Sequence, residues 1–134
     1  MKLFVDEDTG SGLARALRAV RVEVDFVGSG GSFGYGAKDE LWLPFAGKQR
    51  LLVLSRNIAI LRSQTQRELV VSENVGIIFL PPGVTAFELL QLVIKKWAWL
   101  NGVDATEPGP FAFRWTRAGR PVQLALRAHP ATSI

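Results

Sequence analysis

The stretch Lys2-Leu-Phe-Val-Asp-Glu-Asp-Thr-Gly-Ser-Gly-Leu-Ala-Arg-Ala-Leu-Arg-Ala-Val-Arg-Val-Glu-Val-Asp-Phe26 decides the fold. Lys2 to Val5 is short, apolar and ends in acids, which reads as a buried strand. Thr9-Gly10-Ser11-Gly12 is a turn that also offers helix caps. Leu13, Ala14, Leu17 and Val20 then recur at helical spacing, so 11–20 is predicted as a helix with Arg15 and Arg18 outside. Val22, Val24 and Phe26 alternate with Arg21, Glu23 and Asp25, the pattern of a second strand. Strand, helix and strand at this spacing predict a right-handed parallel βαβ unit.

The same alternation continues outward. Gly28 to Gly36 holds five glycines in nine residues, and it is expected to be a mobile loop over the strand ends. Its G-x-G-G lacks the order and flanks of a dinucleotide fingerprint. Lys38 to Ala46 is expected to be a short helix despite Pro44. Leu51 to Leu54 reads as a third buried strand, ending in Ser55-Arg56-Asn57. Ile58 to Val71 reads as one helix, polar on one side, and Val75 to Leu80 as a fourth strand. Thr85-x-x-Glu88 is a capping box. It opens a helix to about Asn101, with Phe87, Leu90, Ile94, Trp97 and Ala98 expected on its inner face and Trp97 and Trp99 expected in the core. Residues 104–110 read as a linker, and 111–116 with 122–126 as a hairpin around Arg117-Ala-Gly-Arg120. The end from about Ala128 is expected to fray, and His129 to be incidental.

The 134 residues suit one domain, with a core over 1–103 and the segment 104–134 packed on or extending it. Hydrophobic residues at 48% can build that core. The chain has no cysteine, which excludes disulfides, thiolate metal sites and thiol catalysis. The first residues lack the apolar run of a signal peptide, and Phe87 to Leu100 is too short and too polar to span a bilayer. A cytoplasmic protein without a membrane partner is expected.

The net charge is +4, yet seven of the 12 acids lie within residues 1–40. An acidic pocket in a basic chain is what a metal-dependent nuclease needs, because metal wants carboxylates and phosphate wants cations. In an open parallel sheet, ligands bind beyond the carboxyl ends of the strands. Asp6, Asp39, Glu40 and Asn57 are all placed near that edge by the predicted order of elements. All-oxygen ligation of this kind selects Mg²⁺ or Mn²⁺. Taken singly, each acid also has a local explanation. Glu7 and Asp8 can cap the next helix, and Asp39 and Glu40 suit a first helical turn. Lys38, Arg56, Arg62 and Arg67, with Tyr35 beside Lys38, are candidates to hold RNA; a solvated helix face is the alternative. A receiver-like signalling domain also gathers acids at strand ends, but strand three here lacks a phosphoacceptor aspartate.

Leu3-Phe4-Val5-Asp6-Glu7-Asp8, Asp39-Glu40-Leu41-Trp42-Leu43-Pro44 and Val53-Leu54-Ser55-Arg56-Asn57, in that order, resemble the PIN-like ribonucleases of the VapC-toxin type. The resemblance spans about residues 2–100, and it implies a three-layer α/β/α fold. The sheet would be mainly parallel, of about four strands, with a C-terminal β-hairpin. It implies Mg²⁺- or Mn²⁺-dependent endoribonuclease activity on RNA, with Asp6, Asp39 and Glu40 catalytic and Asp6, Asp39 and Asn57 on the metal. It further implies a cognate antitoxin partner and a homodimer. Asn57 stands where the family usually has a third aspartate. It brings a neutral oxygen and no charge. A catalytically weakened module that binds RNA or protein is therefore the alternative.

Overall fold

The computed structural model describes residues 1–126. The fate of the chain end from Ala128 and of His129 lies outside the described residues. Three short segments, Leu-Phe-Val, Leu-Val-Leu-Ser and Gly-Ile-Ile-Phe, are buried at every position. Strands buried on both faces belong in a parallel sheet covered by helices. They are β1 (Leu3–Val5), β3 (Leu52–Ser55) and β4 (Gly76–Phe79). The other strands are β2 (Val24–Phe26), β5 (Phe111–Trp115) and β6 (Pro121–Gln123). The sheet order is β2-β1-β3-β4-β5-β6, parallel throughout except for β6. The hairpin therefore does not stand apart: β5 joins β4 as a fifth parallel strand. This α/β architecture is the expected one.

Side-chain alternation divides the core into two layers. Leu3, Val5, Leu52, Leu54 and Ile78 pack with Leu13 and Leu17 of α1 (Ser11–Ala19), Leu89 and Val93 of α5 (Ala86–Lys95) and Leu100 of α6 (Trp97–Thr106). Phe4, Val53, Ile77 and Phe79 point the other way. They meet Trp42, Leu43 and Ala46 of α2 (Asp39–Lys48), Ile60 of α3 (Ala59–Arg62) and Val70 of α4 (Gln64–Ser72). Phe4 is the hub of that second layer. Its ring stacks on Trp42 at 5.0 Å and meets Phe33 and Phe45 edge-on.

Four expectations need correction. The helix expected over 58–71 is two helices, because Ser63 is extended and its hydroxyl accepts the Gln66 N–H at 3.3 Å, restarting the helix as α4. The helix from Thr85 also breaks, at Lys96, and α6 then runs to Thr106, so the linker shrinks to 107–110. Its inner face is Leu89, Leu92 and Val93, whereas Phe87 and Ile94 are 66% and 53% exposed. Apart from the polar stripe of Glu88, Gln91 and Lys95 the helix is apolar, so its apolar face is wider than the core needs and packing against α1 selects part of it. Trp97 and Trp99 do pack on the core, and Trp99 meets Phe113 and Trp115 edge-on.

The fourth correction concerns the glycine-rich loop, which is tied down at many points. The Asp25 carboxylate accepts the N–H groups of Phe26 and Ser32, both at 2.8 Å. Arg15 and Arg18 donate to the carbonyls of Ser29 and Gly30, each at 3.0 Å. Val27 and Phe33 form a bridge, and Phe33 reaches into the aromatic cluster. A Cβ at Gly31 would stand 1.9 Å from the Phe26 carbonyl oxygen, so the glycine lets two backbones touch. Glycine richness here serves close approach, not mobility.

Truncating Phe4 leaves Trp42, Phe33 and Phe45 around a void. Phe4→Ala is expected to lower stability by about 3–5 kcal/mol, read from urea unfolding.

Candidate functional site

The register that pairs Val5 with Leu54 sets the residue after β1 beside the last residue of β3. Those residues are Asp6 and Ser55. Asp6 is only 2% exposed. Its Oδ1 accepts the N–H of Thr9 at 3.2 Å and also the Thr9 hydroxyl, and its Oδ2 accepts the Ser55 hydroxyl. The hydroxyls pass the network on. Thr9 Oγ1 accepts the Arg56 N–H at 3.0 Å, and Ser55 Oγ accepts the Asn57 N–H at 2.9 Å. Burial pushes the Asp6 carboxyl up to about 6, against the pull of Ser55 and Thr9; the Asp8 carboxylate adds a smaller push.

Asp39 opens α2 from the adjoining loop and is half-buried. Burial raises its carboxyl above the ordinary range, the Trp42 indole donates to it at 3.1 Å and opposes the rise, and Asp8 and Glu40 push it further. Asp8 thus acts on both Asp6 and Asp39. Glu40 is exposed beside Asp39. Glu7 is engaged by the loop: its carboxylate accepts the Gly36 N–H at 2.7 Å and ties the glycine-rich loop to the segment after β1. Asn57 is half-buried next to the network, and its carbonyl accepts the Ile60 N–H at 3.1 Å to start α3.

The expected basic residues divide. Arg56 spends its guanidinium on backbone carbonyls, Val84 at 3.2 Å and Asp8 at 3.4 Å, which clamps the acidic turn to the segment after β4. Arg67 donates to the Leu61 carbonyl at 3.1 Å and braces α3. Lys38, at the N-cap position of α2, and Arg62, in the last turn of α3, are exposed. Among the described residues the ion pair formed is Lys2 with Glu23, away from all four.

Sequence reasoning underrated Asp8, Thr9 and Ser55. A signal was present, since an aspartate after a buried strand needs donors, and hydroxyls three residues on and at the neighbouring strand end can supply them. A cavity of about 630 Å³ lies at the opposite end of the sheet, beside Arg50, Asn74, Asp104 and Glu107, and contains none of these groups. Chemistry and cavity size point to different ends, and the perturbed carboxylates mark the more informative one.

A family model described as a PIN like domain matches residues 1–82. The chain belongs to the PIN-like domain family. The matched span runs from β1 through β4 and takes in both acidic segments. The helices α5 and α6 and the closing hairpin lie beyond it. No curated protein and no solved structure matches the chain. No helix among the described residues is long and apolar enough to cross a membrane.

A divalent cation can be tested against the donors present. Among the described residues, no three acids or histidines stand together as a ready-made cage. The donors are hard carboxylate oxygens of Asp8, Asp39 and Asp6, and the Asp8 charge raises the proton affinity of the other two. That set fits a hydrated Mg²⁺ or Mn²⁺ held through one or two carboxylates, the usual habit of Mg²⁺ in proteins.

The Asp6 shift makes a stability prediction. Between its ordinary value of 3.8 and about 6, the folded chain holds the Asp6 proton more tightly than the unfolded one. This contribution favours folding at the acid end and is lost as pH rises through 6, a cost of about 3 kcal/mol at neutral pH. Asp6→Asn removes the charge and keeps an acceptor for the hydroxyls. The variant is expected to resist urea better than the parent at neutral pH, with the advantage shrinking towards pH 4. A pH-independent difference between the two would contradict the assignment.

Proposed function

We propose that this PIN-like chain is a metal-dependent endoribonuclease that hydrolyses RNA phosphodiester bonds, and that it is the toxin half of a toxin–antitoxin pair. The observation that carries the nuclease reading is Asp6, a carboxylate held buried at a strand end at a cost to stability, with Asp8 acting on both it and Asp39. Folds keep such an arrangement where function requires it. The toxin role, the antitoxin partner, a homodimer and a cytoplasmic setting rest on the resemblance of the acidic motifs.

In this reading Asp39 and Asp8 hold Mg²⁺ or Mn²⁺ from the exposed side, Asp6 backs them from within, and Asn57 adds a neutral oxygen. The bound ion supplies Lewis-acid polarisation of the phosphodiester and a more acidic water. The protein's part is orientation. Thr9 and Ser55 fix the Asp6 carboxylate, Trp42 fixes Asp39, and Glu40 stands in solvent as a proton acceptor reached through water. Lys38 and Arg62, both exposed, draw in the RNA backbone.

A second reading has its own observation. Both oxygens of Asp6 are already engaged, and Asn57 leaves one charge missing, which favours a module that binds RNA or protein without turnover.

Incubation of the protein with single-stranded RNA in Mn²⁺ or Mg²⁺ separates the two. The nuclease reading expects cleavage that chelator abolishes and that Asp39→Asn or Asp8→Asn lowers by about 100-fold or more. Cleavage that survives chelator and both substitutions sinks the metal assignment. Tight RNA binding without cleavage in either metal, unchanged by Asn57→Asp, supports the binding module.

A further inference from the structure

Tyr35 is 65% exposed, although it sits within a loop that is otherwise fastened down. It occupies the corner of a turn closed by the Ala37 N–H on the Gly34 carbonyl at 3.2 Å. Its root is fixed, because the next N–H, that of Gly36, is held by the Glu7 carboxylate at 2.7 Å. Its ring lies over Gly28, where an added Cβ would stand only 3.3 Å from Cε1 and 3.4 Å from Cζ. Gly28 has φ 144°, so a side chain there would be strained as well as crowded. The flanking residues Gly34 and Gly36 have no side chains to cover the ring. The ring is therefore open and stands on a turn whose backbone is held.

Its neighbourhood narrows what it can bind. Glu7, which holds the turn, lies between Asp6 and Asp8 in sequence, so the turn that carries the ring is tied by one hydrogen bond to the acidic segment. Lys38, three residues on, is exposed at the N-cap position of α2, one residue before Asp39. A lone aromatic ring among glycines is too small for a protein interface, which takes about 800 Å² from each partner. It is the right size for one nucleobase. Every unpaired base offers a π-face, and stacking on an aromatic side chain with a cation beside it is how single strands are commonly gripped.

We propose that Tyr35 is a stacking platform for one unpaired base of single-stranded RNA, placed so that the adjacent phosphodiester lies towards Asp8 and Asp39. This rests on the nuclease reading for the choice of RNA, but the binding it predicts needs neither metal nor cleavage. The turn that carries the ring is already ordered by the Glu7 hydrogen bond, so its backbone need not be ordered on binding. Lys38 contributes to the phosphate and not to the base, so its part depends on salt while that of the ring does not.

The test measures binding of a short fluorescent single-stranded RNA by anisotropy, in chelator so that nothing is cut. Wild type is compared with Tyr35→Ala, Tyr35→Phe and Tyr35→Trp, on intact RNA and on RNA of the same length carrying abasic positions. Because Tyr35 is exposed, the melting temperature of each variant should match wild type. Tyr35→Ala is expected to weaken binding of intact RNA about tenfold, with Tyr35→Phe and Tyr35→Trp restoring it. The loss should vanish on fully abasic RNA. Equal binding by wild type and Tyr35→Ala, or an equal loss on abasic RNA, overturns the platform, and so does a wild type that binds no RNA. The nuclease reading is decided separately by the cleavage assay. Stacking without cleavage leaves the platform standing and removes the enzyme, while cleavage with Tyr35→Ala binding normally does the reverse.

Discussion

The carboxylate of Asp6 and the two hydroxyls that hold it join separate parts of this molecule. Through Thr9 and Ser55 it ties the turn after β1 to the end of β3, and through their oxygens it orders the N–H groups of Arg56 and Asn57. Two strand ends from different parts of the chain are thereby locked side by side. The interaction is costly, since a buried carboxylate is worse solvated than a free one, and its proton affinity rises accordingly. A buried pair of apolar residues would hold the strands with less penalty. The hydroxyls of Ser55 and Thr9 limit what the charge costs.

Around that contact, the backbone of the sheet does most of the positioning. Alternation along β1 sends Leu3 and Val5 into one layer and Phe4 into the other. The same step then delivers Asp6 to the crevice beyond the strand ends. On the far layer, the aromatic group of Phe4, Trp42, Phe33 and Phe45 connects the strand, the first turn of α2 and the glycine-rich loop. Trp42 belongs to both worlds: its ring is core and its indole N–H steadies Asp39. Packing and site geometry are in this way carried by the same side chain.

The loop between β2 and α2 shows how composition can mislead. Glycines usually announce freedom, and here they permit contact. Gly31 lets its backbone meet that of Phe26, while Arg15, Arg18, Asp25 and Glu7 take up groups the loop presents. All four of these side chains are charged, and the three on a helix or strand would be assigned to solvent by periodicity alone. Their partners are backbone atoms, which leave no trace in residue identity.

By itself the sequence determined the α/β class, the parallel βαβ start, the buried strands and the closing hairpin. These follow from local patterns of apolar residues, which burial enforces wherever the chain goes. It also placed Asp6, Asp39 and Asn57 at strand or helix ends, because element order alone carries the chain back to one edge. Only the tertiary structure decided that the Asp8 charge acts on both Asp6 and Asp39, while Glu7 bonds the loop. Three adjacent acids look alike in sequence, and their roles diverge with the path of a single turn. It likewise decided which stripe of α5 is buried, since the exposed Phe87 and Ile94 are as apolar as Leu89, Leu92 and Val93. It broke the helices at Ser63 and Lys96 and turned Arg56 from a free cation into a clamp. In each case the deciding partner is distant in sequence or is a backbone atom, and neither registers in a one-dimensional pattern.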